Sequence, residues 1–175
     1  LKSAEKYADN ADIQALASTV KEQWEAYQAN PTGYFDSVEL MELDTMIGGK
    51  GVNNIELVKT LAGNSADAIE WLSTIGADLK NVGQFGGAAV KRIHRPVNED
   101  GKVISVGSYI VPILEKTVED RGVEVFYNTT ANKIIMKDGK AAGVEAEGKT
   151  GNKVTINAKS VVLATGGFGA NNDMV

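Results

Sequence analysis

Cysteine is absent from the chain, which excludes disulfides, iron–sulfur ligation and thiolate catalysis. Histidine is limited to His94, so a multi-histidine metal site is excluded as well. No Ser or Cys stands at a recognisable spacing from His94, and no nucleophilic triad can be read around it. No apolar run approaches membrane-spanning length. Basic residues are not in excess: the net charge is −5, which argues against a nucleic-acid surface. Internal repeats, low-complexity tracts and flexible linkers are also missing. The opening residues, Leu1-Lys2-Ser3-Ala4-Glu5, do not form a signal peptide, and the chain reads as excised at both ends. What is present is 175 residues with 43% hydrophobic and 23% charged content, ordinary for one globular domain with a real core.

The stretch that carries most information is Val161-Val162-Leu163-Ala164-Thr165-Gly166-Gly167. A short β-branched apolar run is the pattern of a strand buried on both faces. It breaks into small residues and glycines, whose backbone can turn sharply and approach a ligand. Ligands of open α/β sheets sit beyond the carboxyl ends of parallel strands, so this is a candidate cofactor edge; a plain strand-to-loop turn is the competing reading.

Helical spacing over 11–29 places Ile13, Leu16, Ala17, Val20, Trp24 and Tyr27 on one face, and Asn30-Pro31 stops the helix. The Trp/Tyr stripe is read as a core face rather than a partner groove. Asp36 with Glu39 predicts a capped second helix to about Ile47, ended by Gly48-Gly49-Lys50-Gly51. That loop lacks the full Walker pattern and no buried strand precedes it. Asn53 with Glu56 predicts a third helix to Ile75, with Leu57, Leu61, Ala68, Ile69 and Leu72 inward and Gly76 as its stop. Lys91-Arg92-Ile93-His94-Arg95-Pro96 is a basic cluster. It suits either a dianionic ligand held by Arg forks or, more commonly, a solvated loop or structural ion pair. Ser105 to Asp120 reads as a further amphipathic helix with Ile110, Ile113, Leu114 and Val118 inward, and Pro112 is tolerated if the helix starts near Ser108.

Val123–Tyr127 then reads as a strand, and the helix before it completes half of a βαβ unit. After it the pattern changes to all β. Ile134–Met136 and Ala142–Ala146 flank a hairpin signal at Asp138-Gly139, and a turn at 148–152 leads to Val154-Thr155-Ile156. An antiparallel meander at about 132–158 is thus expected between two parallel strands.

These features, in this order, resemble the FAD-binding domain of the fumarate reductase and succinate dehydrogenase flavoprotein superfamily. They are most similar to soluble flavocytochrome c-type fumarate reductases and urocanate reductases. The resemblance rests on Gly48-Gly49-Lys50-Gly51, Asn53–Val58, Asp67–Leu72, Gly76–Leu79, Gly86-Gly87-Ala88, His94-Arg95-Pro96, Gly122–Val125, Asn128-Thr129 and Ala164–Phe168 with Asn171-Asn172. It covers roughly 36–175 and leaves 1–35 unmatched. It implies an α/β, glutathione-reductase-like FAD-binding fold, here partial: a parallel sheet with flanking helices and the inserted meander. The Gly-rich dinucleotide loop is expected before Leu1 and the substrate-clamping domain after Val175.

FAD is the implied cofactor, held through Thr130 and Ala131 on its adenine side and by Ala164, Thr165, Gly166 and Gly167 along the loop. Gly86 and Gly87 are implied near the flavin ring, with Gln84 and Phe85 beside the substrate, where relatives often carry methionine. The implied partners are a small carboxylate substrate and an electron-donor domain or protein, with neither metal nor nucleic acid. The family's proton-donating arginine and most of its carboxylate-binding residues belong to the later domain, so no catalytic residue is assigned to Arg92, His94 or Arg95. L-aspartate oxidase and ketosteroid dehydrogenase are related alternatives. For the isolated chain, the implied state is a catalytically silent folded module whose exposed sheet edge invites pairing between copies.

Overall fold

The computed structural model describes residues 1–84, 90–167 and 169–174. The chain divides into two compact units, Leu1–Arg121 and Gly122–Val175.

The first unit is built mainly of helices. A 3₁₀ turn at Ala4–Tyr7 leads into α1 (Ala11–Ala29), followed by α2 (Val38–Gly48) and α3 (Ile55–Thr74). A short hairpin of β1 (Asn81–Gly83) and β2 (Ile93–Arg95) comes next, then α4 (Val106–Asp120). Ile13, Leu16 and Val20, spaced at helical period, bury one stripe of α1 against Leu43 and Met46 of α2 and Val58 of α3. The aromatic stripe lies outside this core cluster. Trp24 lies 5.5 Å from Tyr27 and 5.2 Å from Phe35, centroid to centroid, but stays 39% exposed, so the stripe is only partly covered and Trp24 is not a core residue as its spacing suggested.

Three details of the helices differ from the sequence reading. The caps are one residue later: Ser37 Oγ accepts from Leu40 N, and Asn54 Oδ1 accepts from Glu56 N and Leu57 N. Asp36 is diverted because its carboxylate is taken by Arg92. The buried face of α3 is Val58 and Ala62, while Leu57 and Leu61 stay 69% and 59% exposed. One residue along a helix is a rotation of about 100°, and α2 packs on the Val58 side. α4 runs from just after Ser105 to Asp120 as expected, but it does not wait until Ser108 to start, so Pro112 lies inside it and the Ser108 carbonyl has no N–H four residues on to accept from.

The 48–51 loop is a helix stop. Gly51 N donates to Met46 O at 2.8 Å, and Lys50 adopts φ 58°, closing α2 in a Schellman-type turn. A Cβ at Gly49 would displace the Asn53 amide, which packs against it. α3 ends in the same way, with Gly76 at φ 85° and Ala77 N bonded to Leu72 O.

The second unit contains an antiparallel meander of β3 (Thr129–Lys137), β4 (Lys140–Gly148) and β5 (Lys153–Asn157). Asp138 and Gly139 both have positive φ, the turn type that matches strand twist. Gly143 packs directly on the Ile156 carbonyl, leaving no space for a Cβ.

The expected parallel sheet is not formed among the described residues. Every ladder among the described residues is antiparallel, and neither Val123–Tyr127 nor Val161–Ala164 is a strand. A strand exists only where another backbone pairs with it, and neither segment joins either of the chain's two local sheets. Their apolar side chains are accordingly exposed, Val162 by 88%. No helix among the described residues is long and apolar enough to cross a membrane.

Candidate functional site

Strand alternation sets the site in the second unit. Asn128, Thr130 and Asn132 stand two residues apart, and with Glu147, Gly148 and Lys149 they line a polar cavity of about 290 Å³. Asn128 reverses the chain with φ 51°, and a register shift between Ala131 and Lys133 leaves Asn132 as a bulge. Bulges re-aim side chains at strand ends. Thr130 and Ala131 were expected to follow a strand. They lie within β3 instead, opposite Glu147 and Ala146, because the ladder begins at Thr129.

Ala164, Thr165, Gly166 and Gly167 are exposed and belong to no regular element. Gly166 has φ 82°, which favours glycine, and nothing lies within 4 Å of where its Cβ would be. Glycine is therefore required here by conformation, not by packing, and the backbone is open to close approach. Gly167 also lines a broad depression with Ala170, Asn171, Asn172 and Asp173. The hydroxyl, amides and free backbone of these two stretches match the polar edge of a nucleotide, so this unit's donor set fits an FAD-type ligand.

The remaining assigned positions belong to the first unit. Gln84 follows β1 and lines a cavity of about 260 Å³ with Tyr34, Phe35, Val90 and Lys91. A second cavity of about 530 Å³ shares Tyr34 and Lys91 with it. Met41, Leu61 and Ile69 form its apolar wall, and Arg92 and His94 its polar one. Phe85, Gly86 and Gly87 lie outside the described residues.

The basic cluster resolves into different roles. Arg92 Nη2 donates to Asp36 Oδ1 at 2.7 Å, Nε donates to Asp36 Oδ2 at 3.0 Å, and Nη1 donates to Asp44 Oδ2 at 2.8 Å. Its side chain is 16% exposed. Burial works against its charge, but the bonds to Asp36 and Asp44 outweigh this and raise its pKa. Arg92 is thus an ion-pair residue of the fold. His94 is half-buried on β2, opposite Val82, while Lys91 and Arg95 are exposed. Sequence reading missed the two carboxylates that hold Arg92. Asp36 stands just before the Ser37 cap and Asp44 within α2, and no local spacing in the sequence marks the two as partners of Arg92. Among the described residues, no cluster of His, Asp and Glu could hold a metal ion.

The chain is a mixed helix-and-sheet protein with a polar, glycine-bearing stretch open to solvent. A family model described as "FAD binding domain" matches residues 24–175, and the chain belongs to that family. The match begins inside α1, earlier than the resemblance read from the sequence. The chain is 39% identical over 141 residues to a fumarate reductase (cytochrome) of Shewanella frigidimarina, covering 80% of this chain and 24% of that protein. It is 33% identical over 147 residues to a urocanate reductase of Eggerthella lenta, covering 81% of this chain and 23% of that protein. Among solved structures, the open conformation of a flavocytochrome c3 fumarate reductase matches with TM-score 0.70 and 40% identity, over 80% of this chain and 24% of that one. The chain therefore spans about a quarter of the length of these relatives.

Proposed function

We propose that this chain is part of an FAD-dependent oxidoreductase of the fumarate reductase type, which reduces an activated alkene beside a carboxylate. The observation that carries this reading is the family match across 24–175. Identity of 39–40% to proteins named fumarate reductase supports the substrate class. Thr130 and Ala131 hold the adenine side of FAD, and Ala164, Thr165, Gly166 and Gly167 line the cofactor through backbone that no side chain screens. When bound, flavin supplies the hydride chemistry; the protein orients the substrate and excludes water. Gln84, with Phe85, lies beside the substrate, and Gly86 and Gly87 lie near the flavin ring. A separate domain or protein supplies electrons. In the parent, Val123–Tyr127 and Val161–Ala164 are strands of the parallel sheet of a glutathione-reductase-like fold.

A second reading concerns the chain by itself: a folded module that binds no flavin and pairs with copies of itself. It is favoured by the exposure of Val125, Phe126, Val162 and Leu163. A flavin titration of this chain, followed by absorbance and fluorescence, separates the two. Saturable binding would support the assigned contacts. No binding, alongside a cooperative melt, would favour the silent module, and light scattering would then show dimers at high concentration. A full-length protein purified with FAD present that shows no flavin absorbance would overturn the oxidoreductase reading.

A further inference from the structure

The β1–β2 hairpin is too short to hold itself. Its ladder is three pairs, Asn81↔Arg95, Val82↔His94 and Gly83↔Ile93. Two-stranded ladders of this kind are marginal in water without added packing. Gln84 leaves the hairpin immediately after the last of these pairs, and Arg92 enters it immediately before. The geometry of the hairpin's mouth therefore depends on what anchors these residues.

Arg92 provides such an anchor. Its guanidinium makes the three contacts with Asp36 and Asp44 described above, one carboxylate just before α2 and one within it. A planar fork between two carboxylates fixes direction as well as distance, which an ammonium cannot do. A shielded ion pair is a poor source of net stability, and its best-attested use is to fix registry. Two-residue alternation also puts His94 on the Arg92 side of β2, and both line the larger cavity.

We propose that Arg92, clamped by Asp36 and Asp44, is a positioning residue: it ties the start of β2 to α2 and, through the Gly83↔Ile93 pair, sets where Gln84 stands. That Gln84 stands beside a substrate rests on the function proposed above; the clamp itself does not.

The test has two arms. In the first, hydrogen exchange is measured on this chain for the wild type, Arg92→Lys and Asp44→Asn. Amides of 81–83 and 93–95 should exchange about tenfold faster in both variants, with α1 unchanged. Unchanged rates at the hairpin, or an equal rise throughout α1, would overturn the clamp. In the second, Arg92→Lys is placed in the flavin-loaded full-length enzyme. Flavin content should stay at the wild-type level while kcat on an unsaturated carboxylate falls about tenfold to a hundredfold, the cost of a misplaced contact, with KM moving far less. Wild-type kcat and KM would overturn the positioning role. Absence of flavin from the wild-type enzyme would sink the functional reading alone, and the exchange arm would still decide the clamp.

Discussion

In the Leu1–Arg121 unit, Ile13, Leu43 and Met46 are almost wholly buried, whereas in the Gly122–Val175 unit Ala146 is the one buried apolar side chain among the described residues. The sequences of the two units are comparably apolar in their best segments. The difference lies in where the burying partner comes from. The apolar stripe of α1 meets α2 and α3, which follow it closely in the chain. Val161-Val162-Leu163 has no comparable cover among the described residues of its own unit, and Val162 and Leu163 stay exposed. A helix satisfies its backbone by itself and needs neighbours only for its side chains; a strand needs another strand for both.

The comparison can be broken most directly by truncating one residue from each side. Ile13→Ala should cost about 2–5 kcal/mol of the first unit's stability, because the core collapses only partly around the cavity. Val162→Ala should change stability by no more than about 0.5 kcal/mol, as for other exposed sites. Urea unfolding followed by Trp24 and Trp71 fluorescence measures the first, and far-ultraviolet circular dichroism the second. A large loss for Val162→Ala would mean that its segment is covered in solution. Next in size is Gly143→Ala in the meander, where a Cβ would overlap the Ile156 carbonyl. About 1–3 kcal/mol should be lost from overpacking, read as a lower melting temperature of the β signal. Ser37→Ala removes the acceptor for Leu40 N and should cost about 1 kcal/mol, measurable in the same urea titration.

The smallest effect expected is one of pH. Burial raises the Glu42 carboxyl above its ordinary value of 4.5; Glu39 adds to this and Lys59 opposes it. The folded state thus binds the proton more tightly than the unfolded state. Stability from this group is fully present below pH 4.5 and is lost as pH rises through the raised folded value. Glu42→Gln should flatten that decline and leave the protein more stable than wild type near neutrality. Melting temperatures between pH 4 and 8 would show it, and parallel curves for the two proteins would exclude Glu42 as the cause.

Much of the fold was legible locally. α1 ends at Ala29 as its period and Asn30-Pro31 indicated. The Asp138-Gly139 turn, the Gly76 stop and all three meander strands follow from turn chemistry and alternation. The misread points share one cause. Ser37 was passed over as a cap in favour of Asp36, whose carboxylate is spent on an arginine 56 residues away. Leu57 and Leu61 look inward by period, yet α2 lies on the adjacent side of α3. Of the candidate site, the glycine-bearing stretch could be singled out from residue type, and Thr130 through the family resemblance alone. The cavity that Thr130 shares with Glu147 needs the β3–β4 register, which a bulge at Asn132 displaces.

The sequence by itself determined the helices, their stops, the meander and the family, since each depends on neighbours within a few residues or on an ordered set of motifs. Only the tertiary structure decided which face of α3 is buried, that Arg92 serves the fold by joining Asp36 and Asp44, and that Val123–Tyr127 and Val161–Ala164 pair with no strand among the described residues. Those outcomes depend on groups far apart in the chain, and local spacing carries no record of which distant partner arrives.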